Sequence, residues 1–151
     1  MIDHIAHPSF DAAATHRFYS EVLGARLKAA FSGESPEWNA RYLLAAYELE
    51  GAEIDLFTFE GIVRPQPDGL PRDIRHVGLA VPTERDLTRM HERLDDHAAA
   101  YWTETRDDGE HLYVTDPNGL IIELSIAPPP YADRSDAFDV VRAWIERTAP
   151  A

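Results

Sequence analysis

Four side chains of this sequence could share one divalent ion: His4, Asp55, His76 and Glu123. Each lies inside a short run of strand character, where successive side chains alternate between faces. His4 shares a face with Ile2 and Ala6, and His76 shares one with Ile74, Gly78 and Ala80. Asp55 shares a face with Phe57 and Phe59, and Glu123 with Ile121 and Ser125. The opposite faces carry Ile54 and Leu56, Val77, Leu79 and Val81, and Ile122, Leu124 and Ile126, which suit a core. Two neutral imidazoles and two carboxylates form a donor set for Zn²⁺, Ni²⁺, Fe²⁺, Mn²⁺ or Co²⁺. Two carboxylates placed mid-strand without a cation would be costly to bury, so the pattern points to a divalent metal cofactor. The chain has no cysteine, which removes thiolate nucleophiles and Cys-ligated zinc.

The elements that must position these residues repeat. Ile2-Asp3-His4-Ile5-Ala6 and Ile74-Arg75-His76-Val77-Gly78 both read apolar, charged, His, β-branched, small. Glu53-Ile54-Asp55-Leu56-Phe57 and Ile121-Ile122-Glu123-Leu124-Ser125 both set a carboxylate between aliphatics. His76 follows His4 by 72 positions and Glu123 follows Asp55 by 68, which marks a duplicated unit. Each unit reads strand, helix, then three strands, so the fold class is α+β with two βαβββ repeats. Expected strands lie near 2–7, 25–32, 41–49 and 52–59, then 74–81, 100–105, 111–115 and 119–126. Expected helices lie near Phe10–Val22, stopped by Gly24, and Glu84–His97, capped by Thr83. Unit one spans 1–60, a Pro- and Gly-rich connection spans 61–73, and unit two spans 74–127, all within a single domain. A C-terminal extension, 128–151, begins at Pro128-Pro129-Pro130 and carries Phe138, Val141, Trp144 and Ile145 at helical spacing. Asp116-Pro117-Asn118-Gly119 reads as a tight turn, and Asp107-Asp108-Gly109-Glu110 as a hairpin turn.

Around the four candidate ligands, Phe57 and Phe59 are expected to wall a substrate pocket, with Tyr113 and His111 at its border. Trp38, Tyr42, Tyr47 and Trp102 are further candidates for an apolar cavity or for the core. His7 falls on the face opposite His4, and His16, His91 and His97 fall on helices facing solvent. The formal net charge of −13 opposes nucleic acid and anionic membranes as partners and leaves a small molecule. No apolar run is long enough to cross a bilayer and no leader pattern opens the chain, so a cytoplasmic protein is expected.

The sequence resembles the vicinal-oxygen-chelate superfamily, which joins glyoxalase, bleomycin-resistance proteins and ring-cleaving dioxygenases. The likeness covers about residues 1–126. It rests on Asp3-His4-Ile5, on Phe18-Tyr19-Ser20-Glu21-Val22-Leu23-Gly24, on His76-Val77-Gly78-Leu79-Ala80-Val81, and most specifically on Asp116-Pro117-Asn118-Gly119-Leu120-Ile121-Ile122-Glu123-Leu124. It implies paired half-barrels around a metal held by His4, Asp55, His76 and Glu123, and a homodimer. It also implies a glyoxalase I-like lyase or isomerase that acts on a small substrate with vicinal oxygens through an enediolate-type intermediate. Glu123 or Asp55 would be the catalytic carboxylate. Asp55 stands where that family usually has glutamate. The side chain is one methylene shorter, which leaves direct ligation, ligation through water, or an open position. An open position suits the alternative of an Fe²⁺ or Mn²⁺ ring-cleaving dioxygenase on His4, His76 and Glu123. A further alternative is a metal-free protein that binds and sequesters an antibiotic, for which the acidic charge favours a cationic ligand.

Overall fold

The structure, a computed structural model, describes residues 3–67, 69–70, 74–126 and 134–148. Met1, Ile2 and the Pro128-Pro129-Pro130 run lie outside the described residues. Unit one runs β1 His4–Pro8, α1 Ala12–Arg17, β2 Arg26–Ser35, β3 Ala40–Leu49 and β4 Ala52–Phe59. Unit two runs β5 His76–Val81, α2 Glu84–Asp96, β6 Tyr101–Arg106, β7 Gly109–Thr115 and β8 Ile121–Ile126, and α3 spans Ala137–Thr148.

Each unit forms one four-stranded sheet, in the orders β1-β4-β3-β2 and β5-β8-β7-β6. The first strand pairs parallel to the last, and the other pairings are antiparallel. The registers match across the repeat. Ala6 sits opposite Asp55 on β1 and β4, as Gly78 sits opposite Glu123 on β5 and β8. His4 and His76 each stand two residues earlier on the same face.

The helices start where side chains can satisfy their first amides. Asp11 Oδ1 accepts from Ala14 N at 2.9 Å, a cap the sequence pattern did not single out, and so α1 begins at Ala12 instead of near Phe10. Thr83 caps α2 as expected, accepting from Asp86 N at 3.3 Å. After Arg17 the first helix widens into a π-helical turn, Phe18–Val22, closed by Leu23 N donating to Phe18 O at 2.9 Å. Gly24 follows with φ of +72°. A Cβ there would come within 2.7 Å of the Arg93 guanidinium. Arg93 comes from α2 and donates to Val22 O at 3.1 Å and Glu21 O at 2.5 Å. One unit thus caps the helix end of the other.

The aliphatic strand faces meet these helices in one core. Leu87, Met90 and Leu94 of α2 and Phe18, Tyr19, Val22 and Leu23 after α1 pack with Ile54, Leu56, Leu79, Val81, Leu112, Val114, Ile122 and Leu124. Tyr19 and Tyr47 stack at 5.2 Å within it. The Asp116–Gly119 turn is a second clasp between units. Asp116 Oδ1 accepts from Asn118 N and Leu120 N at 2.8 and 2.7 Å. Its Oδ2 accepts from Tyr19 OH at 3.1 Å and Asn118 Nδ2 at 3.0 Å. Asn118 Oδ1 accepts from Phe10 N at 2.9 Å. Burial, then the charge and hydrogen bond of Asp116, push the Tyr19 phenol well above its ordinary pKa. No described helix is long and apolar enough to cross a membrane.

Candidate functional site

The four sequence candidates fall on the faces turned away from the core, and two of them touch. Glu123 Oε2 lies 2.8 Å from His76 Nε2. Two donor atoms bound cis to one metal at about 2.1 Å each lie about 3 Å apart, so this pair has the separation of neighbouring ligands. Glu123 is buried, with 9% of its side chain exposed, whereas His76 keeps 34%. His76 and Gly78 share the walls of a cavity of about 470 Å³ with His4 and Glu53. That volume suits a small molecule.

The equivalent pair in unit one stays apart. His4 is half exposed and its Nδ1 faces Asp3 Oδ2 at 3.1 Å. That hydrogen bond, aided by the charges of Asp55, Asp3 and Glu53 and opposed by desolvation, raises the His4 pKa. Asp55 Oδ1 is buried with no hydrogen-bond partner. A carboxylate oxygen in that condition calls for a cation or a donor. Among the described residues, no group of three or more His, Asp or Glu side chains is arranged to hold a metal ion. The residues present still fit one, through the His76–Glu123 spacing and the orphaned oxygen of Asp55.

Sequence reasoning missed what surrounds Glu123. His111 Nδ1 lies 2.5 Å from Glu123 Oε1, and its Nε2 lies 3.0 Å from Asp108 Oδ1. Ionised carboxylates only accept, so both ring nitrogens of His111 donate. Burial lowers the His111 pKa, but the hydrogen bonds to Asp108 and Glu123 outweigh it and leave it raised. Tyr113 sits opposite Glu123 in the β7–β8 register. Burial, then the charge of Glu123 and a hydrogen bond to it, push the Tyr113 phenol up to about 12. Arg106 donates to Tyr113 OH at 2.6 Å and to Glu104 at 2.8 Å, and Trp102 stacks on the Tyr113 ring at 5.1 Å. His111 and Tyr113, expected at a pocket border, are buried against Glu123. Phe57 and Phe59 are half-buried. Phe59 meets Trp38 at 5.8 Å and Tyr42 at 6.3 Å, while Tyr47 belongs to the core. His16 and His97 are exposed, His7 is half-buried, and His91 is half-buried against Glu110.

The glyoxalase/bleomycin resistance protein/dioxygenase superfamily profile matches residues 1–124. The chain belongs to that superfamily. Within the superfamily, solved structures share the fold at low identity. A glyoxylase/bleomycin resistance protein/dioxygenase domain from Frankia sp. EAN1pec is 20% identical, with a TM-score of 0.68 over 87% of this chain and 94% of that one. A mutant of the fosfomycin resistance protein FosX from Listeria monocytogenes, complexed with Mn(II) and a dihydroxypropylphosphonic acid, is 15% identical. Its TM-score is 0.60 over 84% of this chain and 92% of that one. Lactoylglutathione lyase from Agrobacterium tumefaciens is 18% identical, with a TM-score of 0.58 over 82% and 91%. No curated protein matches the sequence.

Proposed function

We propose that this superfamily member is a divalent-metal lyase or isomerase of glyoxalase I type, acting on a small substrate with two adjacent oxygens. The observation that carries the reading is the Glu123–His76 pair at 2.8 Å, beside a cavity that His4 also lines. Similar folds named lactoylglutathione lyase and FosX with Mn(II) support it. His4, Asp55, His76 and Glu123 would hold the ion, which when bound polarises the substrate oxygens and stabilises negative charge on them. Both oxygens of Glu123 are engaged by imidazoles, which keeps that side chain in place. Asp55 has an oxygen without a partner, which supports Asp55 over Glu123 as the carboxylate that would accept a proton from the carbon next to a carbonyl. Tyr113 keeps its proton at neutral pH and adds no second anion beside Glu123.

The test is metal content per chain in freshly purified protein, followed by turnover of 2-oxoaldehyde hemithioacetals with each candidate metal. Absence of turnover with every divalent ion refutes this assignment. A homodimer in the cytoplasm is the setting this reading expects, checked by light scattering and cell fractionation.

A second reading, sequestration of a cationic apolar ligand, is favoured by one feature. The outer face of the unit-one sheet sets Phe31, Trp38, Tyr42, Phe57 and Phe59 near the carboxylates of Glu53 and Asp55. A thermal shift with cationic drugs and none with metals would select it.

A further inference from the structure

Glu123 is held from behind as well as from the front. Its Oε1 accepts from His111 Nδ1 at 2.5 Å, and the far nitrogen of that ring is anchored to Asp108 Oδ1 at 3.0 Å. Only 4% of the His111 side chain is exposed, so the ring has no water to turn toward. With Oε1 occupied, the oxygen that Glu123 presents beside His76 Nε2 is Oε2. Rotation of the carboxylate to exchange its oxygens would break the shorter of its two imidazole contacts.

We propose that His111, braced by Asp108, is the positioning residue of this half-site: it fixes Glu123 to offer one oxygen, not two, to a divalent cation shared with His76. The inference rests on the metal reading above and adds the residues that set how the carboxylate binds. Unit one shows what its absence means. His111 stands opposite Ser125 and Leu112 opposite Leu124 on β7 and β8. Leu44, opposite Phe57, occupies the place of His111 in unit one. There the carboxylate has no imidazole behind it, and one oxygen of Asp55 is orphaned.

The experiment titrates Co²⁺ into the chelator-treated full chain and reads both affinity and the visible band, whose intensity falls as coordination number rises. His111→Ala is expected to bind Co²⁺ about 10–100-fold more weakly, the range seen when a ligand's supporting partner is removed. Its visible band should also weaken, because a released Glu123 can ligate with both oxygens. His111→Asn keeps an amide donor near the position of Nδ1 and should recover most of the affinity and the spectrum. A merely structural role for His111 would not move the band or respond to asparagine in this way. Asp108→Asn leaves the ring in place and weakens only its brace, so a smaller loss in the same direction is expected even if the alanine variant fails to fold. Wild-type affinity and spectrum in folded His111→Ala, or no change in Asp108→Asn where alanine does not fold, overturns the positioning role alone. A wild-type protein that takes up no Co²⁺ overturns the metal reading and this inference with it.

Discussion

The two units have the same strand order and the same register, yet their functional faces differ. Around Glu123 the neighbouring strands supply His111, Tyr113 and Trp102. At the matching places around Asp55 stand Leu44, Ala46 and Ala29. In unit two the carboxylate is wrapped by donors and buried. In unit one it faces small and apolar neighbours, and its imidazole partner His4 turns to Asp3. Duplication therefore preserved the ligand-type pair on both sides, but the hydrogen bonds that hold a carboxylate rigid were kept or acquired on one side only. The core faces show no such divergence, since Leu56 and Leu124 are equivalent and both fully buried.

The largest expected effect tests that symmetry of the core. Leu56→Ala and Leu124→Ala should each cost about 2–5 kcal/mol in urea unfolding, and by similar amounts, because each leaves a cavity in the shared interior. A cost at only one of them would break the comparison. Next come the carboxylates, measured without metal. Glu123→Gln loses charge-assisted hydrogen bonds and should cost about 1.5–3 kcal/mol. Asp55→Asn changes a carboxylate with one buried oxygen lacking a hydrogen-bond partner, and should fall within about 0.5 kcal/mol of wild type or above it. Equal losses would mean that Asp55 is as well supported as Glu123. The helix caps give a smaller, matched pair: Asp11→Ala and Thr83→Ala should each cost about 1 kcal/mol, read in the same unfolding assay.

The smallest effect is a pH dependence. His111 has a raised pKa in the folded state, so its contribution is complete below its ordinary 6.5 and is lost as pH rises through the raised value. Asp108, lowered chiefly by its hydrogen bond to His111, contributes fully above 3.8 and loses that contribution as pH falls through the lowered value. Unit two should therefore be held best between those limits. The exposed His4 is raised in the same sense, so the comparison is with His111→Asn, whose stability should decline less on the alkaline side in a pH series of denaturation curves.

Much of this was legible from alternation along single strands. Parity assigned Ile54, Leu56, Ile122 and Leu124 to the core and put His76 and Glu123 on the other face, because it depends only on neighbours in sequence. It could not find His111 behind Glu123, since cross-strand partnership depends on register, and register emerges only when the sheet forms. Asp108 read as a turn residue, which it is, but its contact with His111 depends on where the hairpin folds back. Arg93 gave no sign of capping Val22 and Glu21 because its partners lie 71 and 72 positions away. The Asp116–Gly119 turn was visible, but not its grip on Phe10 and Tyr19. His4 lies on the expected face, but alternation along a strand carries no information on whether its ring meets the adjacent Asp3 or Asp55.

The reciprocal clasps bear on how this chain could be divided. Arg93 finishes a helix that begins before the 61–73 connection, and Asn118 holds an amide from that same early segment. A fragment ending before β5 would therefore lack the guanidinium that closes its helix, and the complementary fragment would carry Asn118 and Asp116 without the Phe10 amide and Tyr19 hydroxyl that they bind across the units. Neither piece should fold when produced alone, yet the two mixed together, or a chain nicked in the connection by a protease, should reassemble and melt as a single cooperative body.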